Sequence, residues 1–313
     1  MKKTLLLLLA MVFAIALVGG CAGGQDADVV TDPVVDDNPA DEPTTDEAST
    51  AVTDAAMGYF ANLPDSKHMA AAEDIVARLA NGEELFILDV RQPDAYAEGH
   101  LKGAINVPYG PDIAAALEQL PDDVEIFVYC YTGQTASQTV AILNMAGKFA
   151  TNIQKGFNNG ISLVEGVDAV LVTEAAELPA GDYPVDDEIE AAIADYYAEA
   201  VANTFSLYNI SVDSVKELVD AESTDYTILS VRTAEDYAIG HIKGALNIPY
   251  GAGMQEQFAT VIPADKPVIV YCYTGQTASQ TVAVLRMLGY EAYNMSQGMI
   301  NGWIPAGYEV VAE

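Results

Sequence analysis

Tyr129-Cys130-Tyr131-Thr132-Gly133-Gln134-Thr135-Ala136-Ser137-Gln138-Thr139-Val140-Ala141 recurs unchanged from Tyr271 to Ala283, 13 residues without a difference. An apolar, β-prone run precedes each copy, Val124-Glu125-Ile126-Phe127-Val128 in the first and Val268-Ile269-Val270 in the second. Helical spacing follows, with Val140, Ile142, Leu143 and Met145 ahead of Gly147, and the second copy stops at Gly289. Each cysteine therefore sits where a buried strand ends and a helix begins. The intervening loop is small and hydroxylated and holds one glycine, which lets backbone N–H groups turn inward. Such groups at a helix N-terminus form a nest for negative charge, and a thiolate placed there is stabilised. A buried cysteine also serves as a small packing hydrophobe. Two copies of one loop, in a chain of only three cysteines, favour chemistry over packing.

The repeat reaches well beyond the loop. Leu85-Phe86-Ile87-Leu88-Asp89-Val90-Arg91 corresponds to Tyr226-Thr227-Ile228-Leu229-Ser230-Val231-Arg232. Gly99-His100-Leu101-Lys102-Gly103-Ala104-Ile105-Asn106-Val107-Pro108-Tyr109 corresponds to Gly240-His241-Ile242-Lys243-Gly244-Ala245-Leu246-Asn247-Ile248-Pro249-Tyr250. Gly156-Phe157-Asn158-Asn159-Gly160 corresponds to Gly298-Met299-Ile300-Asn301-Gly302. The offset is 141 residues before the cysteines and 142 from them onward, so one residue is inserted between. A period this long marks a duplicated domain rather than a solenoid, and each copy is large enough to bury its own core.

Within each copy strand-like and helix-like segments alternate. In the first, the pattern predicts a helix over 70–79, a strand over 85–90, a helix over 113–120, the cysteine strand with its helix, and a short strand over 151–154. In the second it predicts a helix over 212–219, a strand over 227–231 and a further segment over 254–261. An extra helix opens each unit, near 53–60 and 189–203. Short β-runs separated by helices predict an α/β fold, each unit a parallel sheet flanked by helices. Ligands of such sheets bind beyond the carboxyl ends of the strands, where both cysteines fall. The expected domains are 51–178 and 188–313, joined by a linker at 179–187 that contains Pro179, Gly181 and Pro184, and each is expected to fold alone.

The beginning of the chain is of another kind. Lys2 and Lys3 precede an apolar run from Leu5 to Val18, too short to span a bilayer, and residues 1–21 read as an export signal. Val18-Gly19-Gly20-Cys21 resembles the lipobox of bacterial lipoproteins, which implies lipidation at Cys21 and a lipid anchor on the extracytoplasmic face of the cell membrane. Residues 22–50 are rich in Asp, Glu, Pro, Thr and Ala, with no Lys, Arg or aromatic residue, and read as a disordered tether. With Cys21 assigned to lipid, one cysteine remains per repeat, which argues against a disulfide scaffold.

Taken together, the Asp-Val-Arg strand end, the Gly-His-(Ile/Leu)-x-Gly-Ala-x-Asn-(Ile/Val)-Pro segment and the strand–Cys–loop resemble the rhodanese (thiosulfate sulfurtransferase) family, in order and twice. The resemblance implies two tandem rhodanese-like domains in a lipoprotein. It implies that Cys130 and Cys272 attack a sulfane sulfur and carry it as a persulfide. By the same carry-over, Tyr131, Thr132, Gly133, Gln134 and Thr135, with Tyr273, Thr274, Gly275, Gln276 and Thr277, form the cradle for the sulfur compound. Arg91 and Arg232 match the family's arginine and are expected to help hold an anionic donor, or else to form structural ion pairs. His100 and His241 belong to the packing of a turn, and His68, without a counterpart, is expected at the surface. No cofactor is implied. The partners implied are a small sulfur-containing anion or a protein persulfide or thiol.

Two departures stand out. Asp89 becomes Ser230 in the second copy, so the two sites are expected to differ. Neither loop carries a lysine or arginine, so each should hold a dianion less well by about 1–3 kcal/mol, which puts polysulfide and persulfide donors level with thiosulfate. Phosphatase chemistry on this fold needs arginine six residues after the cysteine, where Ala136 and Ala278 stand. Cysteines in separate repeats and three scattered histidines show no metal-ligand spacing. The net charge of −33, from 46 acidic and 13 basic residues, disfavours nucleic acid as a partner. A non-catalytic sulfur carrier or binding module at the cell surface is the alternative.

Overall fold

The computed structural model describes residues 49–312. The export signal, Cys21 and nearly all of the acidic tether lie outside the described residues. Seven strands belong to the first half: Met69–Ala70 (β1), Phe86–Asp89 (β2), His100–Leu101 (β3), Ala104–Asn106 (β4), Ile126–Tyr129 (β5), Ala150–Ile153 (β6) and Leu171–Val172 (β7). The second half has five: Asn209–Ile210 (β8), Thr227–Ser230 (β9), Leu246–Asn247 (β10), Val268–Tyr271 (β11) and Ala292–Met295 (β12). Two five-stranded sheets result, ordered β1-β6-β5-β2-β4 and β8-β12-β11-β9-β10. Every pairing in both is parallel. The fold class is thus the α/β arrangement expected, built twice with the same strand order.

The central strands explain themselves. β5 and β11 are buried along their whole length, and the apolar runs Ile126-Phe127-Val128 and Val268-Ile269-Val270 suit strands covered on both faces. Leu88 sits beside Val128, and Leu229 beside Val270, so β2 and β9 flank the cysteine strands in equivalent register. The helices Ala72–Ala80 and Val212–Asp220 begin and end within two residues of expectation. The segment over 113–120 divides into a helix at Pro111–Ala116 and a 3-10 turn at Leu117–Gln119. The edge strands β1 and β8 are only two residues long and were not apparent from periodicity. Each follows a pair in the left-handed region, Lys67 and His68 (φ 58° and 53°) and Leu207 and Tyr208 (both 56°).

The leading helices cross between the halves. Ser49 caps the first, Thr50–Ala61, by accepting the Val52 N–H at 3.3 Å. Its Phe60 meets Tyr250 and Phe258 edge-on, at 5.5 and 5.9 Å between ring centres, and its carbonyl accepts the Gly253 N–H at 3.2 Å. All three partners lie in the second half. The second leading helix, Asp187–Ala202, is capped by Asp186 and runs back to the first half. There the ring of Tyr197 packs on Tyr109 at 5.2 Å, and Tyr196 and Tyr109 both donate to Oε1 of Gln138. In consequence one apolar cluster takes residues from both halves, from Phe60 and Val128 to Phe258 and Val270. The described residues of both halves belong to one compact unit, and each leading helix packs on the other half as well as on its own.

Candidate functional site

Both cysteine loops have one geometry. β5 ends at Tyr129, and the helix Gln134–Met145 begins five residues later; β11 and the helix Gln276–Met287 repeat this around Cys272. Gly133 and Gly275 adopt φ of 86°, a left-handed turn that folds their N–H groups back on the sulfur. Each donates to Sγ at 3.1 Å, Gly133 to Cys130 and Gly275 to Cys272. Both cysteines are 2% exposed. Ala136 and Ala278, in the first helical turns, are buried, where phosphatase chemistry would need a guanidinium.

The segment after the next strand clamps each loop. Phe157 N–H donates to the Cys130 carbonyl at 2.7 Å and Asn158 N–H to that of Tyr131 at 2.9 Å; Met299 and Ile300 do the same for Cys272 and Tyr273. Close approach requires glycine between. A Cβ on Gly156 would stand 2.5 Å from the Cys130 carbonyl oxygen and 2.6 Å from Gly133 N, and one on Gly298 would stand 2.7 Å from the Cys272 oxygen.

The two loops face one another. A cleft of about 870 Å³ is walled by Thr132, Gln134, Lys155 and Asn159 on one side. Thr274, Gln276, Ser296, Gln297, Ile300 and Asn301 form the other. Gln134 and Gln276 clasp across it. Oε1 of Gln276 accepts from Lys155 N at 2.9 Å and Asn152 Nδ2 at 3.1 Å, while Oε1 of Gln134 accepts from Gln297 N at 3.1 Å and Asn294 Nδ2 at 2.9 Å. Each glutamine also donates to the threonine of its own loop, Gln134 to Thr132 and Gln276 to Thr274. Their carbonyl oxygens hold the halves together, a job that reading each repeat alone did not reveal.

Arg91, Arg232, Tyr131 and Tyr273 do not wall this cleft, and neither do Cys130 and Cys272. Arg91 is buried, donates to both carboxylate oxygens of Asp89 and to the Gly99 carbonyl, and lies 4.0 Å over the Phe157 ring. Burial opposes its charge, but the bonds and attraction to Asp89 outweigh that and hold the guanidinium above its ordinary pKa. Of the two readings, the structural ion pair is present, and Arg91 lies outside the wall of the cleft. Arg232 does not wall it either. It donates to the Gly240 carbonyl, and its buried Nε has no partner among the described residues. Tyr131 accepts from Gln92 N at 3.3 Å, and Tyr273 donates to Asp236, so both hydroxyls turn to the helix after the arginine strand and away from the cleft. Thr135 and Thr277 are half-buried and do not wall it.

His100 and His241 are structural, stacked on Tyr96 and Tyr237 at 3.6 and 3.9 Å with Nδ1 at the tyrosine carbonyls. His68 is a correction: it is 9% exposed, against the ring of Tyr59 at 5.3 Å. Burial pushes its imidazole down to about 4.

Residues 71–167 and 211–304 match the rhodanese-like domain. The chain belongs to the rhodanese-like domain family. Over 96 residues it is 33% identical to Protein HIGH ARSENIC CONTENT 1, mitochondrial, of Arabidopsis thaliana, covering 28% of this chain and 57% of that protein. It thus spans little more than half of that plant relative. It is similar also to the Thiosulfate:glutathione sulfurtransferase of Saccharomyces cerevisiae, 24% identical over 116 residues, 34% of this chain and 84% of that one. With Thiosulfate sulfurtransferase PspE of Escherichia coli it shares 32% over 72 residues, 23% of this chain and 68% of that one. Rhodanese-like relatives of this kind point to sulfur transfer in general. Lys155, Asn159, Ser296, Gln297, Ile300 and Asn301 were missed in the sequence. Their signal was the Gly156–Gly160 repeat piece, whose return to the cysteine loop only the fold reveals.

Proposed function

We propose that this rhodanese-like protein moves sulfane sulfur from a donor (thiosulfate, polysulfide or a persulfide) to a thiol or another nucleophile, through a persulfide on Cys130 and Cys272. In the first step a cysteine thiolate attacks the outer sulfur of the donor. The donor's S–S bond breaks, and its leaving group, sulfite in the case of thiosulfate, departs with the electron pair. In the second step the acceptor attacks the outer sulfur of the persulfide, the cysteine S–S bond breaks, and the thiolate returns. No net oxidant or reductant is needed.

The single observation that carries this reading is the N–H of Gly133 and of Gly275 at 3.1 Å from each sulfur, at the start of a helix. A charge-assisted hydrogen bond of this kind contributes about 1.5–3 kcal/mol, and the helix terminus adds favourable potential. We further infer that Cys21 carries a lipid that holds the protein on the extracytoplasmic face of the membrane, and that Cys21→Ala releases it.

The test is mass spectrometry of the purified protein after exposure to thiosulfate or polysulfide, followed by addition of cyanide. One extra sulfur atom is expected on Cys130 or Cys272, lost as cyanide is converted. Full sulfur transfer by the Cys130→Ser/Cys272→Ser variant would overturn the reading.

A further inference from the structure

The walls of the cleft are related by the repeat. Thr132 faces its counterpart Thr274, Gln134 faces Gln276, and Asn159 faces Asn301. When equivalent residues of two copies line one void, the void straddles the pseudo-two-fold axis between them, as in an isologous interface. It is then one cleft walled by residues of both cysteine loops, with Cys130 and Cys272 themselves set behind its wall-forming residues. Both loop helices, 12 residues each, begin at a glutamine in its wall, so two positive helix ends converge there.

Ser296 and Ile300 wall the cleft without their counterparts Gln154 and Asn158, and the symmetry of charge breaks at one place. Lys155 stands where the second half has Gln297, both in the left-handed conformation with φ of 63° and 64°. Lys155 is exposed and forms no ion pair among the described residues. No carboxylate lies in the wall, although the chain carries 46 acidic residues against 13 basic ones. A surface this acidic repels anions at large; a cleft cleared of acids and given one free lysine does the reverse.

We propose that the two cysteine loops share one binding site for a single anionic sulfur compound, with Lys155 as the residue that recognises its charge. The anion's identity rests on the sulfur-transfer reading; its binding does not. The site explains how loops without a cation of their own receive a sulfur oxyanion: the charge comes from the segment that clamps the loop.

The experiment is calorimetric titration of thiosulfate into the Cys130→Ser/Cys272→Ser variant, which binds without turnover. One equivalent per chain is expected. Lys155→Gln, a residue already tolerated at this φ in position 297, should weaken binding about tenfold, a loss of about 1.4 kcal/mol, and flatten its salt dependence. Lys155→Arg should retain binding, and Gln297→Lys added to Lys155→Gln should restore it from the opposite wall. Two equivalents per chain, no saturable binding, an affinity indifferent to Lys155→Gln, or no rescue by Gln297→Lys would each overturn the proposal. Persulfide formation in the unaltered protein is read separately, so loss of the sulfur-transfer reading and loss of the shared site are distinguishable.

Discussion

Asp89 holds Arg91 through both carboxylate oxygens, 2.6 Å from Nη2 and 3.0 Å from Nε, with neither residue more than 3% exposed. The second half keeps the arginine and loses the acid, since Ser230 stands at the same place. Breaking a buried pair leaves an uncompensated charge, and the expected loss is about 3–5 kcal/mol. Asp89→Ser should lower stability by that amount in urea unfolding. Ser230→Asp should raise it, because the Arg232 charge is already buried. A loss below about 1 kcal/mol for Asp89→Ser, the value of an exposed pair, would show that the interaction is not holding the first half together.

Gly156 and Gly298 offer a site-by-site control. Gly156→Ala puts a methyl 2.5 Å from the Cys130 carbonyl oxygen at a φ of 62°. The loop must shift, and its N–H leaves the sulfur. Site-resolved mass spectrometry should find persulfide lost from Cys130 and kept on Cys272. Gly298→Ala should give the opposite result. Loss at both positions from either variant would mean that the loops do not act as local units.

The clasp glutamines should matter more to cohesion than their cradle position suggests. Gln276→Ala strips the acceptor from Lys155 N and Asn152 Nδ2, at a cost of about 1–3 kcal/mol for buried donors left unpaired. Gln134→Ala should match it through Gln297 N and Asn294 Nδ2. Urea midpoints unchanged in both variants would refute the clasp.

His68 gives the stability a pH dependence. Its imidazole titrates near 4 when folded and near about 6.5 when unfolded. Between those values the unfolded chain binds a proton that the folded one refuses. Its contribution is therefore complete above about pH 6.5 and drains away as the pH falls toward 4, with a slope of up to about 1.4 kcal/mol per pH unit. His68→Asn, which tolerates the left-handed backbone there, should lose less stability than the parent between pH 7.5 and pH 5. Equal losses would mean that His68 is not the group responsible.

The halves are expected to depend on each other. Residues 49–186 made alone carry the Thr50–Ala61 helix without Tyr250 and Phe258 to cover it, and lack Tyr196 and Tyr197 over Tyr109. Neither half alone should give a cooperative thermal transition, and mixing the two should restore one. Sharp transitions in both separated halves would show that the crossing helices are dispensable.

What the sequence made legible was local. Ile126-Phe127-Val128 and the helical spacing after Gln134 announce strand, loop and helix because burial on both faces and a 3.6-residue period leave their mark on composition. The two-residue strand β1 left no such mark, since its place depends on the neighbouring Ile153 and Asn152 and not on its own residues. His68 read as surface because its cover, Tyr59, comes from a helix whose packing partners are distant in the chain. Lys155 went unseen for the same reason: nothing local says that the turn after β6 doubles back over Cys130. Arg91 was legible in part, as the Asp-Val-Arg spacing permits an ion pair without requiring it.

The leading helices bridge the halves, each packing on the other half as well as on its own. A homodimer of two identical copies would face the cleft between them with identical walls. Two copies within one chain are free to differ, and the lysine opposite Gln297 is a difference that a symmetric pair has no means to hold.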